Sequence, residues 1–141
     1  MSVSFKGLTA VVVEDDWMLR EMTVNELQDM GWTVLEAASG AGALMALRQA
    51  ETVDLLVTDI QLADAISGWD VAEAFRVSDP EVPVIYASGN PSNQGRRVTE
   101  SVFLSKPIEF SALKLACRKL LGGDSRSEGG RQRHTVRNSL R

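Results

Sequence analysis

The chain has 141 residues, of which 44% are hydrophobic and 24% charged, and its formal net charge at pH 7 is −4. These values are typical of one soluble globular domain and exclude collagen-like, coiled-coil and wholly disordered chains. No apolar run approaches the ~18 residues of a membrane helix, and the short polar start predicts no secretory signal peptide. The single cysteine, Cys117, excludes an internal disulfide, so we expect a cytoplasmic protein.

The charge is unevenly distributed along the chain. Residues 1–121 carry ten basic and 17 acidic side chains, whereas residues 122–141 carry five arginines and only two acids. The second stretch also contains four of the eleven glycines and two apolar side chains, Val136 and Leu140. Such a segment buries too little apolar surface to offset the entropy of ordering it. We therefore predict a domain over residues 1–121 and a flexible basic tail over residues 122–141, and expect neither nucleic-acid nor membrane binding.

Short apolar runs alternate with helix-periodic segments along the domain. The predicted strands are Leu8–Val13, Trp32–Glu36, Asp54–Thr58, Val82–Ala87 and a short Val102–Leu104. The predicted helices are Asp16–Met30, one capped by Ser39 that runs through Leu47, one around Val71–Phe75 that ends before Pro80, and Ile108–Leu121. Continuously apolar strands separated by helices indicate a parallel sheet that is covered on both faces.

Chemically active side chains follow four of the predicted strands. Glu14, Asp15 and Asp16 follow the first strand, Asp59 the third, Ser88 the fourth and Lys106 the fifth. Because open α/β sheets place functional groups at the carboxyl ends of their strands, we expect these side chains to meet at one edge. Clustered carboxylates need a compensating cation, and hard oxygen ligands suit Mg²⁺. An aspartate beside Mg²⁺ can attack a phosphoryl group and form an acyl phosphate, while a lysine and a hydroxyl bind its oxygens.

The same stretches carry a family resemblance. They read VVVEDDW, LLVTDIQL with SGWDVA, VIYASGN and FLSKPIE. Over roughly residues 6–121 the chain resembles a response-regulator receiver domain of two-component signalling, of the stand-alone type. The resemblance implies a flavodoxin-like, doubly wound α/β fold with a five-stranded parallel sheet in the order 2-1-3-4-5.

The resemblance also implies a role for each residue at the strand ends. Asp59 matches the phosphorylated aspartate, Lys106 the lysine that pairs with it, and Ser88 the switch hydroxyl, while Phe103 falls on the aromatic switch position. The implied phosphoryl donor is a histidine kinase or a histidine phosphotransfer protein, with an unidentified protein as the downstream target. The domain would catalyse only the phosphorylation and dephosphorylation of its own aspartate, so we do not expect an enzyme acting on a separate substrate.

A magnesium site follows from the same resemblance. Mg²⁺ would be held by Asp15, Asp59 and the backbone carbonyl of Gln61, and Glu14 would hold a metal-bound water molecule. No other cofactor is expected.

Two loops depart from the family pattern. The loop after Asp59 reaches its glycine, Gly68, one residue late and lacks the customary proline. The stretch from Ser88 to Phe103 is several residues shorter than usual and polar. We therefore expect the fourth helix, between the fourth and fifth strands, to be short or frayed.

Other interpretations stay open from the residues alone. The acidic cluster could serve only a helix N-terminus, and Phe103 could be an ordinary core residue. A degenerate receiver would dock to partners without being phosphorylated. A haloacid-dehalogenase-type phosphatase also forms an aspartyl phosphate, but it needs a second acid two residues after the nucleophile, where this chain has Gln61.

Overall fold

The computed structural model describes residues 4–90 and 94–122. The elements in chain order are β1 (Thr9–Val13), α1 (Trp17–Asp29), β2 (Thr33–Ala37), α2 (Gly40–Gln49), β3 (Leu55–Asp59), α3 (Gly68–Ser78), β4 (Val84–Ser88), β5 (Ser101–Ser105) and α4 (Phe110–Leu121). Within these described residues, every helix is too short or too polar to cross a lipid bilayer. The predicted basic tail lies outside them apart from Gly122, so its flexibility stays a prediction.

The five strands form one sheet in the order β2-β1-β3-β4-β5, and each neighbouring pair is parallel. This confirms the predicted doubly wound, flavodoxin-like topology. The chain adds β2 on one side of β1 and then crosses to the other side for β3. The carboxyl ends of β1 and β3 therefore lie where the strand order reverses, which is the position at which such sheets carry their sites.

Apolar side chains alternate between the two faces of the sheet, so each face has its own core. On one face, Val12 and Val57 pack with Leu27 of α1 and Leu113 of α4. On the other, the strand residues Val11, Leu56 and Tyr86 pack with Ala43 of α2 and Phe75 of α3. Burial on both faces explains why the strands read as continuous apolar runs.

Cys117 is fully buried in the first core, and this burial raises the pKa of its thiol to about 12.

Local sequence signals mark the helix ends as predicted. Asp16 caps α1 by accepting hydrogen bonds from the N–H groups of Met18 and Leu19, at 3.0 and 3.1 Å. Gly31 follows the end of that helix with a φ of 109°, a left-handed conformation that glycine adopts without strain. Ser39 caps α2 through the N–H of Gly42 at 3.0 Å.

Several strand boundaries were predicted one or two residues too early. Trp32 precedes β2, and Leu8 precedes β1. Asp59 and Ser88 were placed after their strands, but they are the last residues of β3 and β4. The reason is the ladder itself: Asp59 pairs with Ala87, and Ser88 pairs with Ser105 on the neighbouring strand. A strand continues as long as a neighbour pairs with it, and that neighbour is distant in sequence.

The chain between β4 and β5 confirms the expectation of a reduced fourth helix. Residues 89–90 and 94–100, which are the described part of this connection, form turns and contain no helix. Residues 94–100 form an irregular segment in place of this helix, and the contacts of the segment are described below.

Candidate functional site

A single ammonium group joins the first, third and fifth strands at the carboxyl edge of the sheet. Lys106 Nζ lies 2.9 Å from Glu14 Oε1 and 3.0 Å from Asp59 Oδ2. Glu14 and Asp59 are 7% and 8% exposed, so both carboxylates need the compensating cation that Lys106 supplies. The three residues that the sequence placed at separate strand ends therefore form one cluster.

Backbone N–H groups orient the remaining carboxylate oxygens. Asp59 Oδ1 accepts a hydrogen bond from the N–H of Ile60 at 2.8 Å, and Glu14 Oε2 accepts one from the N–H of Asp16 at 3.1 Å. Each buried carboxylate is thus held at one oxygen by Lys106 and at the other by the backbone. This double attachment fixes both side chains before any ligand binds.

The pKa values of the pair follow from burial and pairing. Burial raises the pKa of Glu14 above its usual value, and the hydrogen bond from Lys106 reduces that rise. Burial alone would lower the pKa of Lys106, but its hydrogen bonds to Glu14 and Asp59 outweigh this effect and raise it. Lys106 is therefore protonated at neutral pH and acts as a cation.

The acidic cluster has the composition of a magnesium site. Glu14, Asp15 and Asp59 each offer a carboxylate oxygen, and these atoms lie within 4.8 Å of one another. Asp15 is exposed, whereas the other two are buried, so the cluster opens to solvent on one side. Hard oxygen ligands in a partly open cluster fit Mg²⁺, which keeps several waters and uses few protein carboxylates. Asp16, the third acid of the run, caps α1 instead.

Ser88 and Gln61 are the other two residues that the sequence assigned to this site. Ser88 is buried, and its Oγ accepts a hydrogen bond from the N–H of Asn90 at 3.0 Å. Because Asp59 pairs with Ala87, Ser88 lies one residue further toward the same edge of the sheet. Gln61 is exposed, two residues after Asp59, in the loop that leads to α3. Ser88 is therefore near the cluster in the sheet and Gln61 is near it in the chain, and the roles of both residues stay predictions.

Phe103 is half-buried and belongs to an aromatic cluster on the α2–α3 face. Its ring centroid lies 5.2 Å from that of Tyr86 and 5.9 Å from that of Trp69, which in turn lies 4.9 Å from Tyr86. Tyr86 is fully buried, and burial raises the pKa of its phenol. Phe103 thus contributes to the core in this structure, and its role as a switch stays a prediction.

Three residues that hold the site loops had no local sequence signal. Asp64 binds the start of α2, while Arg96 and Arg97 bind α3 and β5. Their partners are 3 to 26 residues away, and most lie on other elements. Local patterns, such as helix caps, apolar periodicity and turn residues, do not indicate pairs of this kind.

Comparison with known families decides the assignment. The family model of the response regulator receiver domain matches residues 10–118. The chain belongs to the response regulator receiver family. The match covers β2 to β5 completely, β1 from its second residue and α4 as far as Arg118, and it includes every residue of the acidic cluster and Lys106.

The curated relatives with a similar region include proteins of two kinds. The transcriptional regulatory protein SphR of Synechococcus elongatus, named for alkaline phosphatase synthesis, is 32% identical in an alignment that covers 79% of this chain and 48% of SphR. The sensor kinase CckA of Brucella abortus is 30% identical in an alignment that covers 80% of this chain and 12% of CckA. The chain spans about half the length of the transcriptional regulators that it matches.

Solved structures of receiver domains have the same fold, and this chain covers nearly all of each of them. A receiver protein from Sinorhizobium medicae is 31% identical with a TM-score of 0.77, covering 83% of this chain and 96% of that one. The regulator TrrA of Thermotoga maritima, solved in complex with Mg²⁺ and BeF, is 27% identical with a TM-score of 0.71, covering 81% and 99%. The receiver fold is therefore shared over 81% to 83% of this chain.

Proposed function

We propose that this receiver domain is a phosphoacceptor in a two-component phosphorelay and that Asp59 is the residue that becomes phosphorylated. The observation that carries the proposal is the position of Lys106 Nζ, within 3.0 Å of both Asp59 and Glu14, in a cluster that also contains Asp15. Lys106 provides a cation at one oxygen of Asp59, and the neighbouring acids offer ligands for a metal ion. The exposed side of the cluster gives a phosphoryl donor access to Asp59.

The chain's own residues supply the positioning for the transfer. An oxygen of Asp59 forms the bond to phosphorus while the P–N bond of a phosphohistidine breaks, and the leaving imidazole takes up a proton. Lys106 remains bound to Glu14 and passes its second hydrogen bond from the carboxylate to a phosphoryl oxygen. Ser88 then donates its hydroxyl proton to another phosphoryl oxygen, which requires its side chain to turn away from Asn90.

Asp15, Asp59 and the backbone carbonyl of Gln61 would hold Mg²⁺, with Glu14 acting through a bound water. The ion supplies charge neutralisation for the phosphoryl oxygens. The carboxylate cluster and the magnesium complex of the relative TrrA support this assignment.

A histidine kinase or a histidine phosphotransfer protein is the donor that we propose, and the cytoplasm is the compartment. The relationship to CckA, a sensor kinase that contains a receiver domain, supports a kinase partner. The domain turns over no separate substrate, because its product is its own phosphorylated side chain.

The test is mass spectrometry of the full chain after treatment with acetyl phosphate and Mg²⁺. We expect one added phosphoryl group on the wild type and none on Asp59→Asn, which keeps the shape of the side chain. Asp16→Asn is the matched control, because Asp16 lies at the same edge but caps α1, and asparagine caps equally well.

Three other outcomes would replace the proposal. A wild type that stays unmodified with Mg²⁺ present would favour a receiver that only docks to partners. Sustained hydrolysis of a general phosphatase substrate would favour a phosphatase of the haloacid-dehalogenase type. Equal labelling of Asp59→Asn and wild type would show that another residue accepts the phosphoryl group.

A further inference from the structure

The N-terminus of α2 is capped by a carboxylate from another loop. Asp64 Oδ1 accepts the N–H of Gly40 and Asp64 Oδ2 accepts the N–H of Ala41, both at 3.0 Å. These are two of the donors that a helix leaves unsatisfied in its first turn, and a negative charge there is favoured by the helix dipole. Ser39, the local cap, serves the next N–H, that of Gly42. The same helix end therefore has one local cap and one remote cap.

Asp64 belongs to the loop of residues 60–67, which we call the acceptor loop because it begins directly after Asp59. The N–H of Gly68 donates to the carbonyl of Ile60 at 2.7 Å and closes the base of this loop. The base is tight, since a Cβ atom at position 68 would lie only 2.0 Å from the carbonyl oxygen of Asp59. The N–H of Ile60 in turn binds the Asp59 carboxylate at 2.8 Å. Movement of the acceptor loop is therefore coupled directly to the acceptor side chain.

A second contact joins the acceptor loop to α2. Ile66 packs so closely on Gly40 that a Cβ atom at position 40 would lie 2.5 Å from the Cβ of Ile66. Asp64 and Ile66 thus contact the same turn of α2, one through hydrogen bonds and the other through van der Waals contact. The helix end and the loop form one surface.

The middle of the acceptor loop has little apolar burial to hold it. Of residues 61–65, only Leu62 is even partly buried, and Gln61, Ala63, Asp64 and Ala65 are exposed. The base at Ile60 fixes one side of Gln61, and the bonds of Asp64 fix the other. The orientation of the Gln61 peptide group depends on both attachments.

We propose that Asp64 is a positioning residue for the metal site, holding the acceptor loop against α2 so that the Gln61 carbonyl is directed toward Asp15 and Asp59. This inference rests on the proposed function, because the Gln61 carbonyl is a ligand only in that proposal. Without Asp64 the loop occupies the competent arrangement for only a fraction of the time, and the apparent affinity for Mg²⁺ falls by that fraction.

The variants are Asp64→Ala, Asp64→Asn and Ser39→Ala in the full chain. Asp64→Ala removes both remote hydrogen bonds, and Asp64→Asn keeps one acceptor oxygen without the charge. Ser39→Ala is the matched control, because it removes the local cap of the same helix, whose hydrogen bond comes from Gly42 and not from the acceptor loop. It separates positioning of the loop from stability of α2.

Two measurements on unphosphorylated protein are needed. The first is the Mg²⁺ concentration at half-maximal change of tryptophan emission, and the second is amide hydrogen exchange of residues 60–67 without metal. We expect Asp64→Ala to raise the half-maximal concentration roughly three- to tenfold, a change of the size expected for loss of a helix cap. Exchange in the acceptor loop should accelerate. Asp64→Asn should fall between Asp64→Ala and wild type, and Ser39→Ala should match wild type in both measurements.

Phosphorylation by acetyl phosphate supplies a third measurement. With Asp64→Ala, the rate should fall at Mg²⁺ concentrations below the midpoint and approach that of wild type at saturating Mg²⁺, because bound metal restores the competent arrangement of the loop. An unshifted Mg²⁺ midpoint in Asp64→Ala, or an equal shift in Ser39→Ala, would overturn the positioning role and leave the proposed function standing. A wild type with no Mg²⁺ response would overturn both. If Asp64→Ala does not fold, the comparison of Asp64→Asn with Ser39→Ala decides.

Discussion

The guanidinium carbon of Arg97 lies 5.2 Å from the centre of the Phe103 ring. Arg97 also donates hydrogen bonds to Ser101, through Oγ at 3.0 Å and through its carbonyl oxygen, and to Gln94 Oε1 at 2.7 Å. The exposed side chain of Arg97 therefore links Gln94, which precedes it, to Ser101 and Phe103 of β5. A short polar segment keeps its position here without the apolar face of a helix.

Two further contacts attach the same segment to α3 and β4. Arg96 forms ion pairs with Asp70 at 3.0 Å and Glu73 at 2.9 Å. The buried Tyr86 accepts the N–H of Val98 at 3.0 Å. Tyr86 and Phe103 pack against each other. A rearrangement of this aromatic cluster should therefore also change the position of residues 94–100.

Replacing Arg97 should loosen the segment that it holds. We expect Arg97→Ala to lower the free energy of unfolding by about 1 kcal/mol, since it removes a cation–π contact and several hydrogen bonds at an exposed site. Amide exchange of residues 94–100 should accelerate more than exchange in the sheet. Arg118→Ala, an exposed arginine in the last turn of α4, is the control and should leave this segment unchanged. Unaltered exchange in Arg97→Ala would mean that Tyr86 and Arg96 hold the segment alone.

The Asp70 carboxylate should make stability depend on acid pH. Hydrogen bonding to Ser67, and then to Arg96, holds the pKa of Asp70 below its usual value of 3.8. The folded state thus favours the charged form, and its stabilising effect is present above 3.8 and lost as the pH falls through the lower folded pKa. We expect the wild type to unfold at a higher temperature than Asp70→Asn at pH 7, with the difference shrinking below about pH 4. Thermal scans across this range check it, and a constant difference would contradict it.

Asp15 should be needed for metal binding but not for folding. It is the exposed member of the acidic cluster, and Trp17 follows two residues later. We expect Mg²⁺ to change the tryptophan emission of the wild type, and Asp15→Ala to lose this response at concentrations that saturate the wild type. Thermal stability without metal should be nearly unchanged, because an exposed carboxylate contributes little. A response retained in Asp15→Ala would place the metal elsewhere.

Gly68 should tolerate no side chain. A Cβ atom there would lie 2.0 Å from the carbonyl oxygen of Asp59, a backbone atom that cannot move without displacing the acceptor. We expect Gly68→Ala to cost about 1–3 kcal/mol of folding free energy and to slow phosphorylation. Gly89→Ala serves as the control for stability, since a Cβ atom at position 89 meets no atom within 4 Å. Chemical denaturation of both variants measures the difference.

Much of this fold was predictable from short-range patterns. The apolar runs, the caps Asp16 and Ser39, and the glycine at position 31 are local signals, and each marks the element that the structure contains. Parallel topology then brings the ends of the strands together, so Asp59 and Lys106 could be assigned to one site before any distance was known.

The remaining features depend on neighbours that are distant in the chain. The last residues of β3 and β4 belong to their strands only because a parallel neighbour pairs with them. Asp64 is one of several acids in the sequence, and only the approach of the acceptor loop to α2 makes it a cap for Gly40, 24 residues away. From the sequence alone, Arg97 is indistinguishable from an ordinary solvated charge. Only the position of β5 in the fold places Phe103 beside it. Local propensity acts through bonded neighbours and therefore determined the elements and the edge where the site lies, whereas packing across the sheet decided which side chains hold its loops.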